Sequence, residues 1–223
     1  MNLGELKQAA IGQVVPMTAT EELVNSNLEF VRLMINKAYH RIERRTLWKF
    51  SEGEAEVSAV SGTKVCPDVP ADMAIPLGIW SNKRKTNLAY HDERQRFLFR
   101  DDVGIVECYG LWEDELLWYP TPKENESFRL RYYKSWSDLV DNSDEPIIPE
   151  AWQSLLIDFA SGQLARRLPP AGDRFLPHSK AQPWIEDFEV SLEEMANSDL
   201  VMKTWDEVPN YEFQEEVLSL GEW

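Results

Sequence analysis

The chain has 223 residues, 43% of them hydrophobic, and sets 39 acidic side chains against 23 Lys and Arg for a formal net charge of −16. That length and apolar content suffice for one large domain or two small ones with buried cores. A protein built to grip phosphates needs Lys and Arg to neutralise them, so tight nonspecific nucleic-acid binding is disfavoured, although DNA passing nearby is not.

The first residues, MNLGELKQAA, lack a basic start followed by an apolar run. No segment approaches the roughly 20 apolar residues that a membrane span needs. The expectation is a soluble chain made in the cytoplasm, with no membrane partner. Thr18-Ala19-Thr20-Glu21 fits a capping box that opens a long helix. From there Leu28, Val31, Ile35, Ala38 and Ile42 recur at spacings of three and four, broadened by Leu23, Phe30 and Met34, which predicts one buried face and a helix running to about Trp48. Arg41, Arg44 and Arg45 suit its C-terminal end, where cations complement exposed carbonyls.

Between about Phe50 and Trp136 the pattern changes to short runs separated by turn residues: EAEVSAV, TKVCPDV, IVECYGLW, ELLWYP and SFRLRYY. Glu54, Glu56 and Ser58 alternate with Ala55, Val57 and Ala59, while Phe128, Leu130 and Tyr132 alternate with Arg129, Arg131 and Tyr133, so each strand has one wet face. A turn at Trp112-Glu113-Asp114-Glu115 joins two strands, and Tyr119-Pro120-Thr121-Pro122 ends the second. Cys66 and Cys108 fall in separate strand candidates without CxxC spacing and read as buried free thiols.

Helical periodicity returns at Pro149-Glu150, with Trp152, Leu155, Leu156, Phe159, Ala160, Leu164 and Leu168 as its buried stripe and Arg166, Arg167 and Pro169-Pro170 at its close. Another helix from about Pro183 aligns Trp184, Phe188, Leu192 and Met195. The expected fold is α+β. A discontinuous helical bundle (residues 1–49 and 137–197) carries an inserted small antiparallel β sandwich or barrel (50–136), followed by an extended C-terminal arm (198–223). The arm is acidic, has Lys203 as its one basic side chain, and carries Trp205, Tyr211, Phe213, Leu218, Leu220 and Trp223 without a long regular period. Such a segment buries little against itself, and its aromatic residues suit pockets on a partner.

Chemistry is harder to find. His40, His91 and His178 are scattered, and there is no HExxH, GxSxG, P-loop or GxGxxG. No catalytic, cofactor-binding or metal-ligating residue is therefore expected. The run Asp141-Asn142-Ser143-Asp144-Glu145 reads as a corner. A calcium loop of the EF-hand type would want glycine sixth and glutamate twelfth, where Pro146 and Gln153 stand. Lys83-Arg84-Lys85, with Arg94, Arg96 and Arg100 beyond, is the one basic island, a possible contact patch for nucleic acid, for an acidic protein surface or for a neighbouring copy. Trp80, Tyr109, Trp112, Trp118 and Tyr119 leave open an alternative, a ligand- or carbohydrate-binding β module.

Several of these segments occur in an order that resembles the head-tail adaptor (connector) proteins of tailed double-stranded DNA bacteriophages. They are Thr46-Leu47-Trp48 at the close of the long helix, Val69-Pro70-Ala71-Asp72-Met73, and Leu117-Trp118-Tyr119-Pro120-Thr121-Pro122. With them come Tyr132-Tyr133-Lys134, Leu139 and Asp144-Glu145-Pro146-Ile147-Ile148-Pro149-Glu150 before the helix ending in Leu164-Ala165. The resemblance spans about residues 20–196. It implies a structural, non-enzymatic virion protein at the capsid–tail junction: a homo-oligomeric ring, usually dodecameric, docked on the portal protein, contacting further neck or tail proteins and passing DNA during genome ejection. A C-terminal arm on the portal is part of that expectation. An acidic lining would keep DNA from sticking, and the exposed carboxylates of the two long helices are the expected lining.

Overall fold

The computed structural model describes residues 1–15, 21–91, 102–112, 115–168, 181–198 and 201. The protein is α+β, and its chain divides into a helical unit, made of residues up to Phe50 and again from Trp136, and a strand unit beginning at Ser51 and ending at Ser135.

The helical unit starts with a helix that the sequence reading did not anticipate, α1 (Leu3–Val14). Asn2 accepts from the Glu5 amide while the Glu5 carboxylate accepts from the Asn2 amide, a capping box one helix earlier than the expected one. Leu3, Leu6, Ala10, Ile11 and Val14 form its buried stripe. The second helix, α2, runs Glu21–Glu43, and Val31, Ile35, Ala38 and Ile42 are fully buried as their spacing predicts. The Thr18 end of the expected capping box lies outside the described residues.

α2 stops short of Trp48. The Trp48 indole folds back to donate to the Ile42 carbonyl at 2.7 Å and stacks on Phe50, so an orphan carbonyl of the helix end is satisfied by a buried side chain. The third helix is also later than expected. Pro149 precedes a single 3-10 turn (Glu150–Trp152), and α3 follows as Ser154–Arg167. α3 packs against α1, α2 and α4 (Ala181–Ala196) and is buried almost all round, as the central helix of a bundle must be. Gly162 permits the closest approach: a Cβ there would lie 2.7 Å from Ile185 and 3.1 Å from the Ala181 carbonyl.

In the strand unit β1 (Glu52–Ala59), β9 (Glu126–Lys134), β2 (Met73–Ser81) and β3 (Thr86–Asn87) form an antiparallel sheet in the order β1-β9-β2-β3. A second sheet, in the order β4-β6-β7, contains β4 (Ala89–Tyr90), β6 (Cys108–Trp112) and β7 (Glu115–Tyr119). β5 (Val103–Gly104) pairs with β8 (Thr121–Pro122). The two-residue pairings β4/β6 and β5/β8 are parallel, so the strand region is mixed at its margins. Both larger sheets feed one core, in which Val57, Ile79, Phe128 and Leu130 meet Tyr109, Leu116 and Trp118; the rings of Trp118 and Phe128 stack at 5.0 Å.

The strand expectations need correcting at TKVCPDV and at Tyr133, and a central strand is added. TKVCPDV forms only an isolated bridge, Val65 to Leu117, and Cys66 lies just beyond it, because Pro67 and Pro70 interrupt any ladder. Met73–Ser81, which the sequence reading did not mark as a strand, is a central strand despite Pro76 and Gly78. It accommodates them with register shifts between Met73 and Ile75 and between Pro76 and Gly78. The wet face of β9 holds at Arg129 and Arg131 but not at Tyr133, which is buried.

Candidate assembly site

The acidic run at 141–145 is a corner that closes the helical unit. The Asp144 carboxylate accepts from the amides of Val140 and Asp141, both at 2.8 Å. Its backbone carbonyl accepts from the Leu3 amide at 2.8 Å and that of Asn142 from the Gly4 amide at 3.0 Å, so the corner caps the first turn of α1. The Asn142 side chain also accepts from the Lys7 ammonium. The carboxylate is thus committed to the backbone of its own turn.

Beside the corner, α2 grips the returning chain. Asn36, buried, donates to the Leu139 carbonyl and accepts from the Leu139 amide, each at 2.9 Å. Glu43 accepts from the Trp136 amide at 2.8 Å, and the Tyr39 hydroxyl accepts from the Ile147 amide at 3.1 Å. Burial pushes the Tyr39 phenol up to about 12, so it stays protonated across ordinary pH. His40 sits between the Glu43 carboxylate at 2.8 Å and the Asp138 carboxylate at 2.6 Å. Burial alone would lower its pKa, but the two carboxylates outweigh it and the net shift is upward.

The outward surfaces of the unit differ in charge. α4 carries Glu186, Asp187, Glu189, Glu193 and Glu194 on exposed positions and has no Lys or Arg. Two of these carboxylates are neutralised from α2 and the turn after it: Arg41 pairs with Glu189 at 2.7 Å, and Arg45 pairs with Glu193. Arg41 also lies over the Phe188 ring. The exposed face of α2 holds Glu29, Leu33, Lys37 and Arg41, with Arg44 in the turn just past its end; Glu29 is paired with Arg32, and the larger share of exposed carboxylates falls on α4.

The basic island is largely spoken for inside the strand unit. Lys83 donates to Glu124; Arg84 donates to the Val106 carbonyl and lies 3.9 Å from Glu126. Glu126 also accepts from Ser81 at 2.6 Å. Lys85 holds the turn with a φ of +56° and keeps its side chain exposed. Arg94, Arg96 and Arg100 lie outside the described residues. Tyr109, Trp118 and Tyr119 are buried, so three of the five aromatic residues considered for a carbohydrate platform fill the core instead. Cys66 and Cys108 are free and buried, and burial pushes the thiols up to about 12 and about 11. Among the described residues no three His, Cys, Asp or Glu converge so as to hold a metal ion, and no helix is long and apolar enough to cross a membrane.

A family model described as SU10 adaptor protein matches residues 1–208, all but the last stretch of the chain. The chain belongs to this family of phage head-tail adaptors. The adaptor is therefore a structural protein of a phage virion that interacts with other head or tail proteins. A search among curated proteins finds no match. Of the adaptor's anticipated contact residues, Lys83, Arg84 and Lys85 share one turn. Trp205, Tyr211, Phe213, Leu218, Leu220 and Trp223, like His178, lie outside the described residues. The grip of Asn36, Tyr39 and Glu43 on the returning chain went unread in the sequence. A polar Asn36 within an apolar stripe was the one available signal, since a buried amide needs partners.

Proposed function

We propose that the adaptor assembles as a ring, dodecameric as the family resemblance implies, that docks on the portal and joins capsid to tail, leaving a passage for DNA during genome ejection. The observation that carries this reading is the family match over residues 1–208. The net charge of −16 supports it, because a surface poor in free cations lets a polyanion slide past without being held. The protein works by assembly and carries out no catalytic step.

In this reading the arm from Ser198 onward reaches the portal, with Trp205, Tyr211, Phe213, Leu218, Leu220 and Trp223 seated in its pockets. Aromatic side chains give large contact area for little lost rotamer freedom. Lys85 is the member of the basic turn best placed for a further contact, since Lys83 and Arg84 already have partners within the chain. Imaging of virion necks tests the whole: a symmetric ring of this chain beneath the portal is expected, and a neck without it would overturn the proposal. Deleting residues 198–223 should leave a folded protein that no longer attaches to capsids; undiminished attachment would remove the arm from the account.

A further inference from the structure

We propose that neighbouring copies of this chain meet helix to helix, the outer ridge of α2 (Leu33, Lys37, with Arg44 just past its end) on one copy against the outer ridge of α4 (Glu186, Val190, Glu194) on the next. The inference names the contact within the ring proposed above and rests on that reading. Both ridges point away from the helical unit's own core. The buried apolar residues of α2 include Val31, Ile35, Ala38 and Ile42, and a period of 3.6 residues sets Glu29, Leu33 and Lys37 on the opposite side, with Arg44 exposed in the turn that follows the helix. The buried residues of α4 are Ala181, Phe188, Leu192 and Met195, which leaves Glu186, Val190 and Glu194 outward.

Each ridge carries one large apolar side chain in the open: Leu33 is 49% exposed and Val190 58%. Their surroundings are opposite in charge. Lys37 and Arg44 form no ion pair with the described residues, whereas Arg41 and Arg45, one flank over, are already held by Glu189 and Glu193. Val190 stands between Glu186 and Glu194, one turn to either side, with Asp187 adjacent.

Seating Leu33 on Val190 puts Lys37 about 6 Å along the axis, where it faces Glu194 if the helices run parallel and Glu186 if they run antiparallel. Either direction gives Lys37 a carboxylate beside the apolar contact, while Glu29, one turn to the other side of Leu33, is already neutralised by Arg32. Packing α4 on its own counterpart would set carboxylates against carboxylates, which like-charge repulsion opposes, and packing α2 on its own counterpart would offer Lys37 only Glu29, which Arg32 already neutralises. The favoured contact is therefore heterologous, joining two different faces, and such head-to-tail contacts are the kind that close into rings.

The test uses the full chain in assembled particles. A Leu33→Cys/Val190→Cys variant, oxidised, should give a ladder of covalent multimers on a non-reducing gel. Each single variant should give none, and a mixture of the two singles should stop at a dimer. Cys66 and Cys108 are buried and do not compete. Lys37→Glu should raise the concentration needed for half-assembly roughly tenfold, since attraction becomes repulsion at every contact of the ring, and adding Glu186→Lys with Glu194→Lys should restore it. A ring that forms normally yet gives no ladder and ignores the charge reversals would overturn this contact while leaving the ring intact. Cross-linking of either cysteine to a portal or tail chain instead would overturn it too. If necks of unmodified particles hold no ring of this chain, the ring itself fails and takes the contact with it.

Discussion

The two units of the molecule spend their charges differently. In the strand unit four cations are held by partners within the unit: Arg131 pairs with Glu52 at 2.8 Å, Arg129 with Glu54 at 3.1 Å, Lys83 with Glu124, and Arg84 with the Val106 carbonyl, while Lys85 stays exposed. The helical unit ties down Arg41 and Arg45 but leaves Lys37 and Arg44 outward, beside an α4 face with carboxylates to spare. Exposed ion pairs add little to stability, about 0–1 kcal/mol each. Their consequence here is to decide which cations still have unmatched charge to offer a partner, among them Lys85 in the strand unit, and Lys37 and Arg44 in the helical one.

The units also differ in how they close. The strand core is made by one continuous segment, whereas the helical core must bring residues about a hundred positions apart together, Asn36 to Leu139 and Glu43 to Trp136. Ordering so long an intervening loop costs entropy that the buried stripe and the polar grip must offset.

That contrast can be tested, beginning with the cores. Phe159→Ala in α3 and Trp118→Ala in β7 should each cost about 3–5 kcal/mol in chemical unfolding, because both side chains are buried and leave cavities. Hydrogen exchange should show the lost protection concentrated in the altered unit; equal loss in both would mean that the cores are not separate. Asn36→Ala should cost roughly 2–3 kcal/mol, as it leaves the buried amide and carbonyl of Leu139 without their partner. A change within a few tenths of a kcal/mol would show that the grip is dispensable.

Glycine substitutions give a smaller effect of opposite signs. Gly162→Ala should destabilise by about 1–3 kcal/mol, since the new methyl meets Ile185 and the Ala181 carbonyl. Gly12→Ala, in open space on α1, should stabilise by about 0.5–1 kcal/mol through helix propensity. Equal melting temperatures would refute the close approach of α3 and α4.

The smallest expected effect is a pH dependence. The folded pKa of His40 is raised, so its contribution is fully present below the ordinary histidine value and is lost as pH climbs through the raised one. The difference in melting temperature between the unaltered chain and His40→Gln should therefore shrink as pH rises from the mildly acidic range. A difference that grew with pH would reverse the assignment.

Much of the helical unit was legible because periodicity reports burial directly: Val31, Ile35, Ala38 and Ile42, and likewise Phe188, Leu192 and Met195, are buried where their spacing put them. α1 was legible too, through the capping pair Asn2 and Glu5 and the spacing of Leu3, Leu6 and Ala10. Met73–Ser81 was harder. Pro76 and Gly78 argue locally against a strand, and only pairing with both β9 and β3 overrides them. The α4 ridge could be read as acidic from its composition, but which charges of α2 stay unmatched emerges only once Arg41 and Arg45 are known to be taken and Glu29 to be paired with Arg32.

Local order, then, came from the chain alone. Side-chain period, capping pairs and turn chemistry act over a few residues, and they suffice for α2, α3 and α4, for β1, β6, β7 and β9, and for the corner at 141–145. Tertiary packing settled where Trp48 turns back, which carbonyls Asn142 and Asp144 lend to α1, how β2 keeps its place, and which cations remain unpaired. Each of these depends on a partner far away in sequence, and neither hydrogen bonding nor desolvation can assign such a partner until the fold has brought it within reach.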